Sequence, residues 1–265
     1  MAELSRTELH DYLAFAVDIA RQAGEIARTY FSPTTGYDRK DDFSYLTVAD
    51  TTINDMVIER VKATYPDHDI KGEEASSLHG SDHLWVCDPI DGTAPYVHGL
   101  PYSCFELALV IDGVPQVAVV YDFNNDRMYT ATKGGGAFCN DQPIHVNDVA
   151  DIAKSTINES SKTSPYIDAP KLRWVTDSAC YRIMVLQCCA QETMLVANGQ
   201  NEGGVFVGTT VHDVAAPKLI IEEAGGTCTD LFGNDQRYDG PVKGMIYSNG
   251  RIHDDLLKLC QQVYI

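Results

Sequence analysis

Apolar residues at Leu9, Leu13, Ala16, Ile19, Ala20, Ala23, Ile26 and Ala27 recur at spacings of three and four. That period predicts a helix over residues 7–30 with one buried face. Ser5 and Glu8 stand at the spacing of a capping box, and Ser32-Pro33-Thr34-Thr35-Gly36 breaks the pattern. A second helix is expected over residues 50–65, with Ile53, Val57, Ile58 and Val61 inward and Pro66 as its stop. The middle of the chain changes period. A short strand is expected at 69–71 and an apolar one at 83–87. Strands at 104–111 and 116–121 flank Asp112-Gly113, a hairpin signal. A strand at 127–132 follows, then the bend Gly134-Gly135-Gly136 and a strand at 137–139. In the second half, residues 182–198 are expected to be helical, 204–207 a strand, and 251–262 a closing helix. A helix opened by His212 or Asp213 should run to Ala224 and stop at Gly225-Gly226. Helices and strands alternate in blocks, which predicts packed layers of both.

The 265 residues suffice for one large domain or two packed halves. Hydrophobic residues at 44% and charged residues at 22% are ordinary for a globular chain, but a formal charge of −18 is not. Such a surface repels phosphate backbones and argues against nucleic acid as a partner. An anionic substrate would then need a cation to bridge it. The first residues lack a basic segment followed by an apolar core, and no apolar run reaches the length of a membrane span. The reading is therefore a cytoplasmic protein without membrane contact. None of the eight cysteines forms a CxxC pair, so a zinc knuckle is not expected, and the cysteines read as reduced core thiols. A redox role for the vicinal pair Cys188-Cys189 is disfavoured, because adjacent cysteines in a helix rarely reach disulfide geometry.

Three segments carry candidate chemistry: Gly72-Glu73-Glu74, Asp88-Pro89-Ile90-Asp91-Gly92-Thr93, and His212-Asp213-Val214-Ala215-Ala216 with Glu223-Ala224-Gly225-Gly226. In the second, an apolar strand runs straight into Asp88, and Pro89 ends its hydrogen-bonding ladder. Two carboxylates three residues apart at a turn can converge on one cation, with the Ile90 carbonyl as a third oxygen. Gly92 permits close approach of backbone to a ligand, and the Gly92 and Thr93 amides can receive a phosphate. Each segment also has a plainer reading. Asp-Gly can be a turn, adjacent glutamates a solvated face and Asp213 a helix cap, and His212, a candidate metal ligand, can be structural or exposed.

Taken together and in this order, the segments resemble the inositol monophosphatase family of lithium-sensitive, Mg²⁺-dependent phosphomonoesterases. The resemblance extends over Leu46-Thr47-Val48-Ala49-Asp50, residues 85–93, Val97-His98-Gly99, residues 134–140 and the C-terminal motif. It implies an α/β fold (α+β): a layered α/β/α/β/α sandwich of the inositol monophosphatase and fructose-1,6-bisphosphatase type. Its N-terminal half (1–147) would carry most metal ligands. Its C-terminal half (148–265) would supply Asp213 and the substrate wall, the two forming one unit. The resemblance assigns Glu73, Asp88 and the Ile90 carbonyl to one Mg²⁺, and Asp88, Asp91 and Asp213 to a second. Asp50 would hold or activate water near a third, weaker ion. Glu73 and Thr93 would position the attacking water, with Gly92 and Thr93 on the phosphate. Asp91, Cys189, Phe206 and Asp213 would line the substrate. Two or three Mg²⁺ per site, lithium inhibition and a homodimer are further implications.

Departures from the family pattern bear on substrate. His212 stands where members typically carry Trp, which should alter packing behind Asp213. Gln187-Cys188-Cys189-Ala190 replaces a Gly-Ser/Thr-Ala-Ala helix start. Phe206 replaces the glutamate that meets inositol hydroxyls, and a phenyl ring cannot hydrogen-bond a polyol. It could instead stack on a flat ring. Ala94 replaces the lysine frequent in members acting on histidinol phosphate or 3′-phosphoadenosine phosphates. The expectation is a phosphatase for a small phosphorylated metabolite. Histidinol-phosphate, 3′-phosphoadenosine-phosphate and sugar-phosphate phosphatases are kept as alternatives, as is a non-enzymatic binding module on the same fold.

Overall fold

Helix α1 (Arg6–Tyr30) starts at the expected capping box, with the Ser5 and Glu8 side chains each bonding the other's backbone amide. Its buried face is Leu9, Ala16, Ile19, Ala20, Ala23 and Ala27, as the period requires. Strands β1 (Asp38–Arg39) and β2 (Tyr45–Leu46) pair as a short antiparallel hairpin. Helix α2 (Val48–Thr64) begins earlier than expected, because Thr47 caps it and Asp50 completes the capping box. Then come β3 (Asp69–Gly72), β4 (Ser76–Ser77), β5 (His83–Asp91), the short α3 (Thr93–Val97), β6 (Cys104–Ile111), β7 (Val114–Asp122), β8 (Arg127–Thr132), β9 (Gly136–Cys139) and β10 (Gln142–Pro143). The strands of this stretch form one sheet in the order β10-β9-β8-β7-β6-β5-β3-β4. This computed structural model describes residues 4–32, 34–41, 43–159 and 163–265.

The second half contains β11 (Thr156–Glu159), α4 (Ala169–Ala179), β12 (Arg182–Met184), α5 (Cys189–Ala197), β13 (Gly203–Phe206), α6 (Ala215–Glu223), β14 (Thr227–Thr229), β15 (Met245–Ser248) and α7 (His253–Gln261). Its sheet runs β12-β11-β13-β15-β14. Helices α1 and α2 cover one face of the first sheet. Helices α5 and α6 lie between the two sheets and touch both, while α4 and α7 cover the far face of the second. The result is the α/β/α/β/α sandwich. Strand alternation builds it: Trp85, Cys87, Phe105, Leu107 and Leu109 enter the outer core with α1 and α2, whereas Leu84, Val86, Cys104, Ala108 and Val110 enter the central core. Such strands, buried on both faces, read as continuous apolar runs.

Two expectations are corrected. Residues 182–198 are not one helix. Arg182–Met184 pairs in parallel with β11, Gln187 takes a positive φ of 60°, and α5 starts only at Cys189. The cause is Glu192, whose carboxylate accepts the amides of Leu186 (2.6 Å) and Gln187 (3.2 Å) and so holds an extended loop against the helix start. The helix expected from His212 or Asp213 begins at Ala215, which leaves Asp213 in the preceding turn, where the Thr210 hydroxyl donates to its carboxylate. Unforeseen elements of the second half include α4, β11, β14 and β15. The strands have only three or four residues. In α4 only Leu172 and Thr176 are buried, too few for a visible stripe, although Asp168 and Pro170 formed a legible start signal.

Candidate active site

The register of the first sheet assembles the carboxylates. Strands β3 and β5 run parallel, with Gly72 opposite Cys87. The Glu73 amide continues the ladder by donating to the Cys87 carbonyl at 3.1 Å, which sets Glu73 beside Asp88. Between Asp88 and Asp91 the β5–β6 register slips, a bulge that turns both carboxylates toward one place. Asp88 accepts the Ile90 amide at 3.0 Å, and the Thr93 hydroxyl donates to the Ile90 carbonyl at 3.0 Å. Asp91 accepts the Ala190 amide at 2.6 Å and the Cys188 thiol at 3.2 Å, so the first turn of α5 is fastened to it. Gly92 has φ +81°, and a Cβ there would lie 2.5 Å from the Tyr102 carbonyl oxygen, so no other residue fits without displacing backbone.

Glu73, Asp88, Ile90, Asp91, Gly92, Thr93 and Asp213 line one cavity of about 270 Å³. Gln187, Cys188, Cys189, Glu192 and Phe206 form one wall, and Phe43, Ser44 and Tyr45 from the β1–β2 hairpin another. This volume is at the small end for ligand sites, which start at roughly 300 Å³. Asp50 lies off the cavity wall. One of its oxygens takes the Thr47 amide (2.8 Å) and hydroxyl (2.5 Å), and the other has no partner. Oxygens of Asp50, Glu73 and Glu74 lie within 4.8 Å of one another. Glu73, Asp88, Ile90, Asp91, Gly92, Thr93, Cys189, Phe206 and Asp213 thus meet at the end of β5, with Asp50 beside Glu73, whereas Glu223 of the third segment lies elsewhere and accepts the Gly134 and Gly136 amides.

Burial, and then the charges of Glu73, Asp91, Asp213 and Glu106, push the Asp88 carboxyl well above the usual range. Burial raises Asp50 to about 7 against the opposing hydrogen bonds from Thr47, and Glu73 and Glu74 add to the rise. Burial also holds the Cys188 and Cys189 thiols protonated, which removes the thiolate that a redox role would need.

Two residues here escaped sequence reasoning. Lys40, at the end of β1, reaches Glu73 at 2.8 Å and Glu74 at 2.5 Å. Burial lowers its ammonium pKa, but the two carboxylates outweigh that and the net shift is upward. Nothing in the polar stretch around Lys40 marks it. Glu106, on β6 opposite Asp88, is 1% exposed. A glutamate inside the apolar run Cys104–Ile111 was a legible signal. His212 was expected to alter packing behind Asp213. Its ring offers a nitrogen that lies with oxygens of Glu73 and Asp88 in a group spanning at most 4.8 Å, which fits the candidate-ligand reading as well.

The donors suit a hard divalent cation: carboxylates, one backbone carbonyl, and buried oxygens without partners on Asp50 and Glu106. Lys40 pairs directly with two of these carboxylates, Glu73 and Glu74.

This layered α/β sandwich with carboxylates converging beside a turn that can take a phosphate is the frame of a phosphohydrolase. The model of the inositol monophosphatase family matches residues 8–264. The chain is 30% identical over 272 residues to an inositol monophosphatase of Mesembryanthemum crystallinum, covering 96% of this chain and 97% of that protein. It is 31% identical over 256 residues to the fructose-1,6-bisphosphatase/inositol-1-monophosphatase of Thermotoga maritima, covering 96% and 97%. A solved IMPase of Thermotoga maritima superposes with a TM-score of 0.87 at 29% identity, over 95% of this chain and 97% of that one. The chain belongs to the inositol monophosphatase family, and its class of activity is phosphoric monoester hydrolysis.

Proposed function

We propose that the protein hydrolyses a small phosphomonoester with divalent cations, Mg²⁺ first among them, held by Glu73, Asp88, the Ile90 carbonyl, Asp91 and Asp213. The observation that carries the reading is the convergence of these five residues with Gly92 and Thr93 on one cavity. Asp50, with one unpartnered oxygen near Glu73 and Glu74, would support a third ion. Cations bound there would acidify water and neutralise a phosphate approaching a strongly acidic protein.

In this reading the chain's own groups do the rest. Glu73 and the Thr93 hydroxyl hold the attacking water, and Glu73 takes its proton. The Thr93 hydroxyl donates to Ile90, which leaves its oxygen as an acceptor toward water. Gly92 and Thr93 present backbone to the phosphate at a position where a side chain is excluded. Cys189 and Phe206, with Asp91 and Asp213, shape the space for the rest of the substrate. Phe206 offers no hydrogen bond, which supports a substrate whose buried face is less hydroxylated than inositol. The residues up to 147 would act as the ligand-bearing half and 148–265 as the wall. Lithium inhibition, a homodimer and a cytoplasmic location complete the proposal. Among the described residues no helix is long and apolar enough to cross a membrane.

The test is phosphate release, with and without Mg²⁺, from inositol 1-phosphate, fructose 1,6-bisphosphate, histidinol phosphate, 3′-phosphoadenosine 5′-phosphate and β-glycerophosphate. A Mg²⁺-dependent preference for one of them supports the reading and names the substrate. Folded protein that is silent on all five with Mg²⁺ present would count against it.

A further inference from the structure

We infer that Glu106 is an additional ligand of the cation held between Asp88 and Asp91, directly or through one water, so that this chain binds that ion with one more carboxylate than Asp88, Asp91 and Asp213 supply.

The placement follows from the sheet. Asp88 and Glu106 are directly opposed in the antiparallel β5–β6 pair, so their side chains leave the same face, toward the central helices. The sequence around Glu106 is otherwise a strand's apolar run, and Phe105, Leu107 and Leu109 are fully buried on the opposite face. Glu106 itself is 1% exposed, and neither of its carboxylate oxygens has a hydrogen-bond partner. Buried carboxylates without partners are rare because the ionised form loses its water shell and gains nothing in return. Glu106 is therefore either protonated or offset by a positive charge.

The geometry decides between the two. A neutral carboxylic acid buried here would need an acceptor for its O–H, and no described residue stands in hydrogen-bond geometry to it. Oxygens of Glu106, Asp88 and Asp91 nevertheless lie within 4.8 Å of one another. Ligand oxygens on opposite sides of a Mg²⁺, Mn²⁺ or Ca²⁺ ion sit roughly 4–5 Å apart, given metal–oxygen distances of about 2.0–2.6 Å. The three carboxylates are thus spaced to share a cation. No basic side chain pairs with Glu106 among the described residues, whereas Lys40 attends to Glu73 and Glu74. The inference rests on the phosphatase reading for the existence of an ion at Asp88, but not for the role of Glu106 itself.

The experiment is Mn²⁺ binding to the purified full chain without substrate, followed by calorimetry and by the electron paramagnetic resonance of free Mn²⁺. Melting of the cation-free protein is measured alongside. Glu106→Gln keeps the shape and removes the charge. It is expected to weaken Mn²⁺ binding by about 10–100-fold, the range seen when groups around a metal are lost. The melting curve of the cation-free protein shows that the variant is folded. Glu106→Asp should bind more tightly than Glu106→Gln. Should Glu106→Gln fail to fold, Glu106→Ser carries the same expectation. Unchanged Mn²⁺ affinity in the Gln or Ser variant would overturn the inference while leaving the phosphatase reading intact. A wild-type protein that binds no Mn²⁺ would overturn both.

Discussion

The Ala190 amide donates to the Asp91 carboxylate at 2.6 Å, joining the helix that walls the cavity to one of its acidic residues. The two lie far apart in sequence, on β5 and α5, and the bond fixes how the C-terminal half faces the carboxylates. The Cys188 thiol donates to the same carboxylate at 3.2 Å, so the start of α5 is held to Asp91 at two points.

Asp88 is the carboxylate with most to lose. Asp88→Asn removes the residue that the proposed reading assigns to two ions, and turnover should fall by at least ~10²-fold. The cation-free variant should melt higher than the parent, because burial and four neighbouring acids disfavour a charge at this position. Initial rates across a Mg²⁺ titration, with melting curves, check both. Near-parental Mg²⁺-dependent rates would refute the ligand assignment.

Lys40 occupies the same carboxylates that a cation would use. Lys40→Met should destabilise the cation-free protein, because Glu73 and Glu74 lose their partner. It should also let Mg²⁺ bind a few-fold more tightly by ending the competition. The half-saturating Mg²⁺ concentration for thermal protection gives the answer, and a weaker midpoint in the variant would show Lys40 assisting the ion.

Glu192 sets a pH dependence. Burial raises its carboxyl to about 7 from a usual 4.5. An acid whose folded pKa is raised holds its proton more tightly when folded. Its contribution is therefore full below 4.5 and is lost as pH rises toward and past 7, by on the order of 3 kcal/mol. Glu192→Gln keeps an oxygen for the Leu186 and Gln187 amides and cannot ionise. Its stability between pH 5 and 8 should fall less steeply than the parent's. Parallel denaturation curves across that range would exclude the effect.

Phe206 lines the cavity and, in the proposed reading, selects what it accepts. Phe206→Glu should raise the relative rate on polyol phosphates over flat-ring phosphates by about 10-fold or more. It should also destabilise the fold by ~2–4 kcal/mol, since the position is 1% exposed. Ratios of kcat/KM on paired substrates test this, and unchanged ratios would remove Phe206 from substrate contact.

Long periodic elements were legible in the sequence because each is dictated locally. The capping box at Ser5 and Glu8, the stripe of α1, and the hairpin about Asp112-Gly113 depend only on near neighbours. So did the cluster Asp88, Ile90, Asp91, Gly92 and Thr93, whose residue types and spacing already suit a cation and a phosphate. The α5 start was not legible, because the carboxylate of Glu192 overrides the helical bias of residues 182–188 through bonds to the loop. Short strands such as β14 and β15 carry too few residues to show a period and form because partners wait for them.

By itself, then, the sequence determined the composition of the site and the segments that hold it, since those are properties of neighbouring residues. Only the tertiary structure decided that Glu73 meets Asp88 through the parallel β3–β5 register, that Lys40 closes on Glu73 from a separate hairpin, and that Glu106 stands opposite Asp88. Those meetings depend on strand register and on the bulge at Asp88–Asp91. Packing of the whole sandwich sets both, because a slip of one residue would turn each buried side chain to the opposite face.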